Sequence, residues 1–89
     1  MGISVGSSHL TSGTGTTTIT LPRISLWEVD VAPSGNDITI LFNNRGSAVS
    51  ETMTVRAGDV KSFRLNTQEI VITRAAASAV DIYWNPGVR

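Results

Sequence analysis

The strongest constraint on this chain is a side-chain alternation of period two that recurs in short runs and never lengthens into a helical repeat. In ISLWEVDV, Trp27, Val29 and Val31 share one face and Glu28 and Asp30 the other, the pattern of a strand with one buried side. DITILFN places Ile38, Ile40 and Phe42 together, ETMTV places Met53 with Val55, and EIVITR places Ile70 with Ile72. TTTITL, VKSFRL and AVDIYW bring the number of strand-like runs to seven. Between them lie APSGN, NNRGS, RAGD, LNTQ and RAAAS, mostly rich in turn formers. The alanines of RAAAS favour helix, but no second turn of apolar spacing follows, so a loop or single turn is expected there. Short strands about 8 to 14 residues apart predict an all-β fold, a small antiparallel β-sandwich or barrel. Trp27, Ile38, Ile40, Phe42, Met53, Val55, Ile70, Ile72, Val80, Ile82 and Trp84 supply its apolar faces, and Tyr83 points away from Trp84.

At 89 residues the chain is one domain, and a domain of this size buries only roughly 60 to 65% of the surface its unfolded form exposes. It has no cysteine, so no disulfide or thiolate metal site can reinforce it. Support from outside the chain is therefore expected. The opening MGISVGSSHLTSGTGTTTIT has little to bury, and its composition divides the chain into an extended Gly/Ser/Thr-rich arm, residues 1–15, and a β domain, residues 16–89. Ile3, Val5 and Leu10 are sparse apolar pegs, and Ile19 is the centre of a short alternation in Thr16–Thr20. Such a segment is ordered only where its backbone finds partners. Addition to the open edge of a neighbouring subunit would supply them. Folding back on its own domain would satisfy the same groups.

Composition also removes several function classes. Seven basic and seven acidic residues give zero net charge, without the field that phosphate-backbone binding needs, so no nucleic-acid partner is expected. No apolar run approaches the length of a membrane-spanning helix, and the charged and apolar regions of a signal peptide are missing, so no membrane partner is expected and the whole chain is expected to be the mature protein. His9 is the sole histidine and has no ligand or carboxylate near it in sequence, which predicts a surface residue. Glu28 and Asp30 could pair for acid-base work or calcium, but their strand face points away from the core and reads as solvated or ion-paired. The GTG at Gly13–Gly15 lacks the strand, helix and lysine of a phosphate loop and reads as a spacer. The expectation is a protein that is not an enzyme and uses no cofactor or metal.

Two features point to contacts with other proteins. Six of the seven basic residues are arginine, the cation enriched at interfaces because its planar group pairs bidentately and desolvates more easily than lysine. Arg64 and Arg74 each follow an apolar strand and are placed to project from its end. Tyr83, outward beside a closing NPG turn, is a candidate anchor or carbohydrate platform. The Ser/Thr/Gly-rich lead, TLP into the first strand, VRAGDVKSFRL and the closing VDIYW together resemble small all-β bacteriophage virion proteins of the capsid decoration, cement or minor structural kind. The resemblance implies a symmetric homo-oligomer, a trimer as first guess, that decorates or cements a capsid or related assembly by contact with a major capsid or other virion protein. It also implies location on the virion surface, with the host cytoplasm during assembly. Ile3, Val5, Leu10, Ile19, Arg64, Arg74 and Tyr83 are the expected interface residues. A carbohydrate- or host-surface-binding module is the other function class that the outward Tyr83 leaves open.

Overall fold

A computed structural model describes residues 5–87. They form five β-strands and no helix: β1 (Gly6–Ser34), β2 (Ile38–Asn44), β3 (Ser47–Ala48), β4 (Met53–Val55) and β5 (Lys61–Pro86). All pairings are antiparallel, in the order β1-β5-β2-β3 with β4 on β2. The chain is thus all-β, and each of the seven alternating runs contributes residues to a strand.

The strands are fewer and longer than the runs because β1 and β5 bend without leaving strand geometry. Their pairing consists of separate ladders: Gly6–Leu10 with Val80–Trp84, Gly15–Thr20 with Glu69–Arg74, Ser25–Val31 with Lys61–Thr67, and Trp27–Ser34 with Ala79–Pro86. Register breaks between Leu10 and Gly13, Gly13 and Gly15, and Thr20 and Ser25 mark where β1 changes direction, as unpaired extra residues bend a strand. Two segments expected to be turns, LNTQ and RAAAS, lie inside β5 instead. The RAAAS corner is pinned from the side. Asn36 Nδ2 donates to the Ala77 carbonyl at 2.7 Å, and the buried Ser78 hydroxyl lies 2.9 Å from the Asn36 carbonyl and 3.0 Å from that of Ser34. These side-chain bonds hold an extended corner where alanine propensity alone favours a helical turn.

One core serves every ladder. Trp27, Val29, Val31, Ile38, Ile40, Phe42, Val55, Ile70, Ile72, Val80 and Ile82 are buried together with Leu21, which sits inside the Thr20–Ser25 register break. Met53, one of the residues expected to supply the apolar faces, lies at the rim of the core with Leu10, Ile19, Phe63 and Leu65, and Trp84, expected in the core or at its rim, lies there too. Each fully buried large side chain contributes roughly 1.5–3 kcal/mol of transfer free energy. Phe42 and Phe63 meet edge to face at 5.2 Å, and the one polar atom of Trp27 is satisfied by donation to the Arg23 carbonyl at 3.0 Å, so the indole is buried without an orphaned donor.

Candidate functional site: the N-terminal arm and its groove

The described part of the arm is the first run of β1. Gly6–Leu10 lies against Val80–Trp84 of the same chain, and β1 continues through residue 15 without leaving strand geometry. Among the described residues, this strand is paired on one side only from Gly6 to Thr20. Backbone hydrogen bonds therefore hold the arm, and four local contacts set its position.

The first is a close approach. Gly6 faces Trp84 across the ladder, and a Cβ built on Gly6 would stand 2.5 Å from the indole Cζ2. Only glycine lets the backbone lie on that ring, and the ring in turn covers a residue that has no side chain to pack. The second is His9, opposite Asp81 in register, with Nδ1 2.5 Å from Asp81 Oδ1. Both side chains are about half exposed. The third is Leu10, packed against the rim of the core.

The fourth contact is Arg74, which is buried. Its Nη1 donates to the Thr11 carbonyl at 2.6 Å and to the Ser78 carbonyl at 2.8 Å. Nε has no hydrogen-bond partner among the described residues, and no carboxylate there pairs with the group. A cation held by two carbonyl dipoles in place of water keeps only part of its solvation. The guanidinium ties the arm to the β5 corner, yet exposing it to water would return the hydration that it lacks.

Arg64 plays a similar part at the other end of the chain. Its Nε and Nη2 donate to the Gly87 carbonyl at 3.0 and 2.6 Å, and the Gly87 amide donates to the Leu26 carbonyl at 2.8 Å. Both arginines singled out by position thus bind carbonyls of their own chain. Sequence spacing puts each arginine after an apolar run and predicts that it projects from a strand end, but both lie inside β5 and turn to backbone oxygens that the spacing does not reveal. Leu10 and Ile19 pack on the chain's own core, while Val5 and Tyr83 are exposed. Ile3 lies outside the described residues.

Tyr83 stands half exposed on the outward face of the Ala79–Pro86 run, opposite Asp30 on one side and Ser7 on the other. Asp30 Oδ1 accepts from the Ser62 hydroxyl at 2.6 Å, and Asp81, two residues along from the ring, is held by His9. Both carboxylates beside the tyrosine are oriented, a feature that no sequence pattern announced.

The sheet edges differ in composition. The Gly6–Thr20 edge contains no Lys, Arg, Asp, Glu or Pro, whereas Lys61–Thr67, paired among the described residues only with Ser25–Val31, carries Lys61 and Arg64. Charges and proline on an edge discourage pairing with other chains. The arm has neither.

No family model matches the sequence, and no curated protein matches it. Among solved structures, an ethanolamine utilization protein Q (EutQ) from Salmonella typhimurium LT2 is similar over 94% of this chain at 16% identity and a TM-score of 0.56. A protein of the Bacillus endospore appendages, described as a novel family of disulfide-linked pili, is similar over 97% of this chain and 92% of its own at 20% identity and a TM-score of 0.47. This chain spans 59% of the length of the EutQ chain, and at that identity the likeness is one of fold alone.

Proposed function

We propose that this chain is a structural protein that decorates or cements a larger assembly through its N-terminal arm. On its resemblance to small phage virion proteins, that assembly is a virion surface, and the partners are other copies of the chain, a trimer in the first instance, with a shell protein beneath. The observation that carries the reading is the edge from Gly6 to Thr20, which has no strand on its second side among the described residues and no charged or proline guard. The proposal extends to the architecture. The Lys61–Thr67, Ser25–Ser34, Ala79–Pro86 and Gly6–Leu10 runs form one layer of a β-sandwich, and Gly15–Thr20, Glu69–Arg74, β2 and β4 form the other. In it the arm is one more strand beside the seven that the alternation predicts.

Deletion of residues 1–13 tests this reading. The truncated protein is expected to keep its β circular dichroism and to sediment as a smaller species than the full chain. A full chain that sediments as a monomer at every concentration and binds no shell removes the proposal.

A second reading has its own support in Tyr83, a half-exposed ring beside two oriented carboxylates. Sugar rings stack on aromatic faces and donate hydroxyl hydrogens to fixed acceptors, so this face suits a carbohydrate. Screening the protein and its Tyr83→Ala variant against immobilised glycans decides it. Retention that the substitution abolishes favours the reading, and no retention by either protein rejects it.

A further inference from the structure

We propose that the arm is an exchangeable strand: in the assembled protein, residues 6–13 of one copy occupy the groove formed by Val80–Trp84 and Arg74 of a second copy. The inference rests on the assembly reading above and specifies its partner and its site. The occupant is fixed by the groove itself, because every feature that receives the arm is made for this one segment. Trp84 is covered by a residue without a side chain at Gly6, Asp81 faces His9, and Arg74 reaches the Thr11 carbonyl. A second copy brings an identical arm, so exchange keeps each of these contacts and changes only the path of the connecting residues.

The connection is built for such a change. β1 loses register between Leu10 and Gly13 and again between Gly13 and Gly15. Gly15 has a φ of +109° and nothing packed where a side chain would be. Backbone at this point can swing without pulling a side chain from the core.

The groove also lowers the cost of opening. An arm that covered only apolar surface would expose that surface to water on leaving. Here it uncovers Arg74, whose buried Nε has no partner among the described residues and whose Nη1 is held by the Thr11 and Ser78 carbonyls, and water entering the open groove hydrates Nε and takes the place of Thr11 on Nη1. Release therefore hydrates a polar group, where the opening of a wholly apolar seam would only expose apolar surface. At the high local concentration of an assembly, the open groove meets neighbouring arms as well as its own.

The chain has no cysteine, which makes the arm's address directly readable. In the double variant His9→Cys/Asp81→Cys, the thiols lie on residues opposite each other in register, and a disulfide joins whichever chains share a groove. The assembled fraction is oxidised and run on a non-reducing gel, and a short bis-maleimide reads the same pair of thiols where the disulfide geometry is poor. Covalent dimers and larger species in most of the chains are expected. In a co-refolded mixture of His9→Cys and Asp81→Cys proteins of different tag lengths, the mixed-length species should form well above the level given by an Asp59→Cys control. An assembly in which only intrachain bonds form overturns exchange and leaves the assembly reading standing. Intrachain bonds in a protein that is monomeric throughout remove both.

Discussion

The run Val80–Trp84 is flanked by β1 on both sides, by Val29–Pro33 along one edge and by Gly6–Leu10 along the other. Both seams are antiparallel ladders drawn from one strand, yet they are held differently. On the first side, β1 carries Trp27, Val29 and Val31 into the core with no exposed surface. On the arm side, Leu10 is the apolar residue that packs inward, and the rest of the seam includes Gly6 on an indole, an exposed imidazole–carboxylate contact and a buried arginine bound to a carbonyl. Backbone hydrogen bonds are similar in kind on both sides, and each is worth only about 0.5–1.5 kcal/mol net. Side-chain burial therefore decides which seam belongs to the domain and which can open.

The largest effect is expected on the core side of this run. Trp27→Ala removes the largest fully buried side chain and is expected to destabilise the domain by about 3–5 kcal/mol. That is a large part of the roughly 5–15 kcal/mol available to a whole domain. The check is urea denaturation followed by circular dichroism, with both seams lost in one transition. Gly6→Val, on the weak side, should behave otherwise. Strand propensity favours valine, but the Cβ meets the Trp84 ring at 2.5 Å, and that ring is packed against the core. Sterics win at that distance, with an overpacking cost of about 1–3 kcal/mol, and lifting the arm is the way to relieve it. Hydrogen exchange should show Ser7–Leu10 losing protection while Val29–Val31 keeps it. If Gly6→Val lowers the urea midpoint as far as Trp27→Ala does, the arm is an integral strand and the two seams are not distinct.

The strong seam was legible in the sequence and the weak one was not, for a physical reason. Alternation reports burial of one face, so Trp27, Val29, Val31, Val80 and Ile82 announce themselves wherever the core lies. Gly6–Leu10 buries little, so GSSHL reads as a polar lead although it pairs residue by residue with Val80–Trp84. The corners were hidden for a related reason. LNTQ and RAAAS have turn-like or helical composition, and what keeps them extended is contact with distant residues, such as the Thr67 hydroxyl 3.1 Å from the Asn43 carbonyl and Asn36 on Ala77. Arg64 and Arg74 were singled out by type and position as strand-end residues aimed at a partner, whereas both lie inside β5 and bind their own chain. Their targets are backbone carbonyls of Gly87, Thr11 and Ser78, and a carbonyl carries no sequence signal.

The smallest effect is expected at the contact that looks most like a lock. His9 and Asp81 sit opposite each other at 2.5 Å, but their side chains are 57% and 47% exposed, so water and salt screen the pair and the net contribution should lie within about 1 kcal/mol. His9→Ala also leaves every backbone bond of the Gly6–Leu10 ladder in place. Thermal unfolding of His9→Ala should therefore stay close to that of the unaltered chain, with a difference that narrows further in high salt. Hydrogen exchange at Ser7–Leu10 should change far less than in Gly6→Val. The contrast between these two variants sharpens the account of the weak seam. If removing the imidazole frees the arm as fully as crowding Trp84 does, a surface side-chain contact rather than the ladder and its glycine seat holds the strand, and the exchanged arm would then depend on a single exposed side chain.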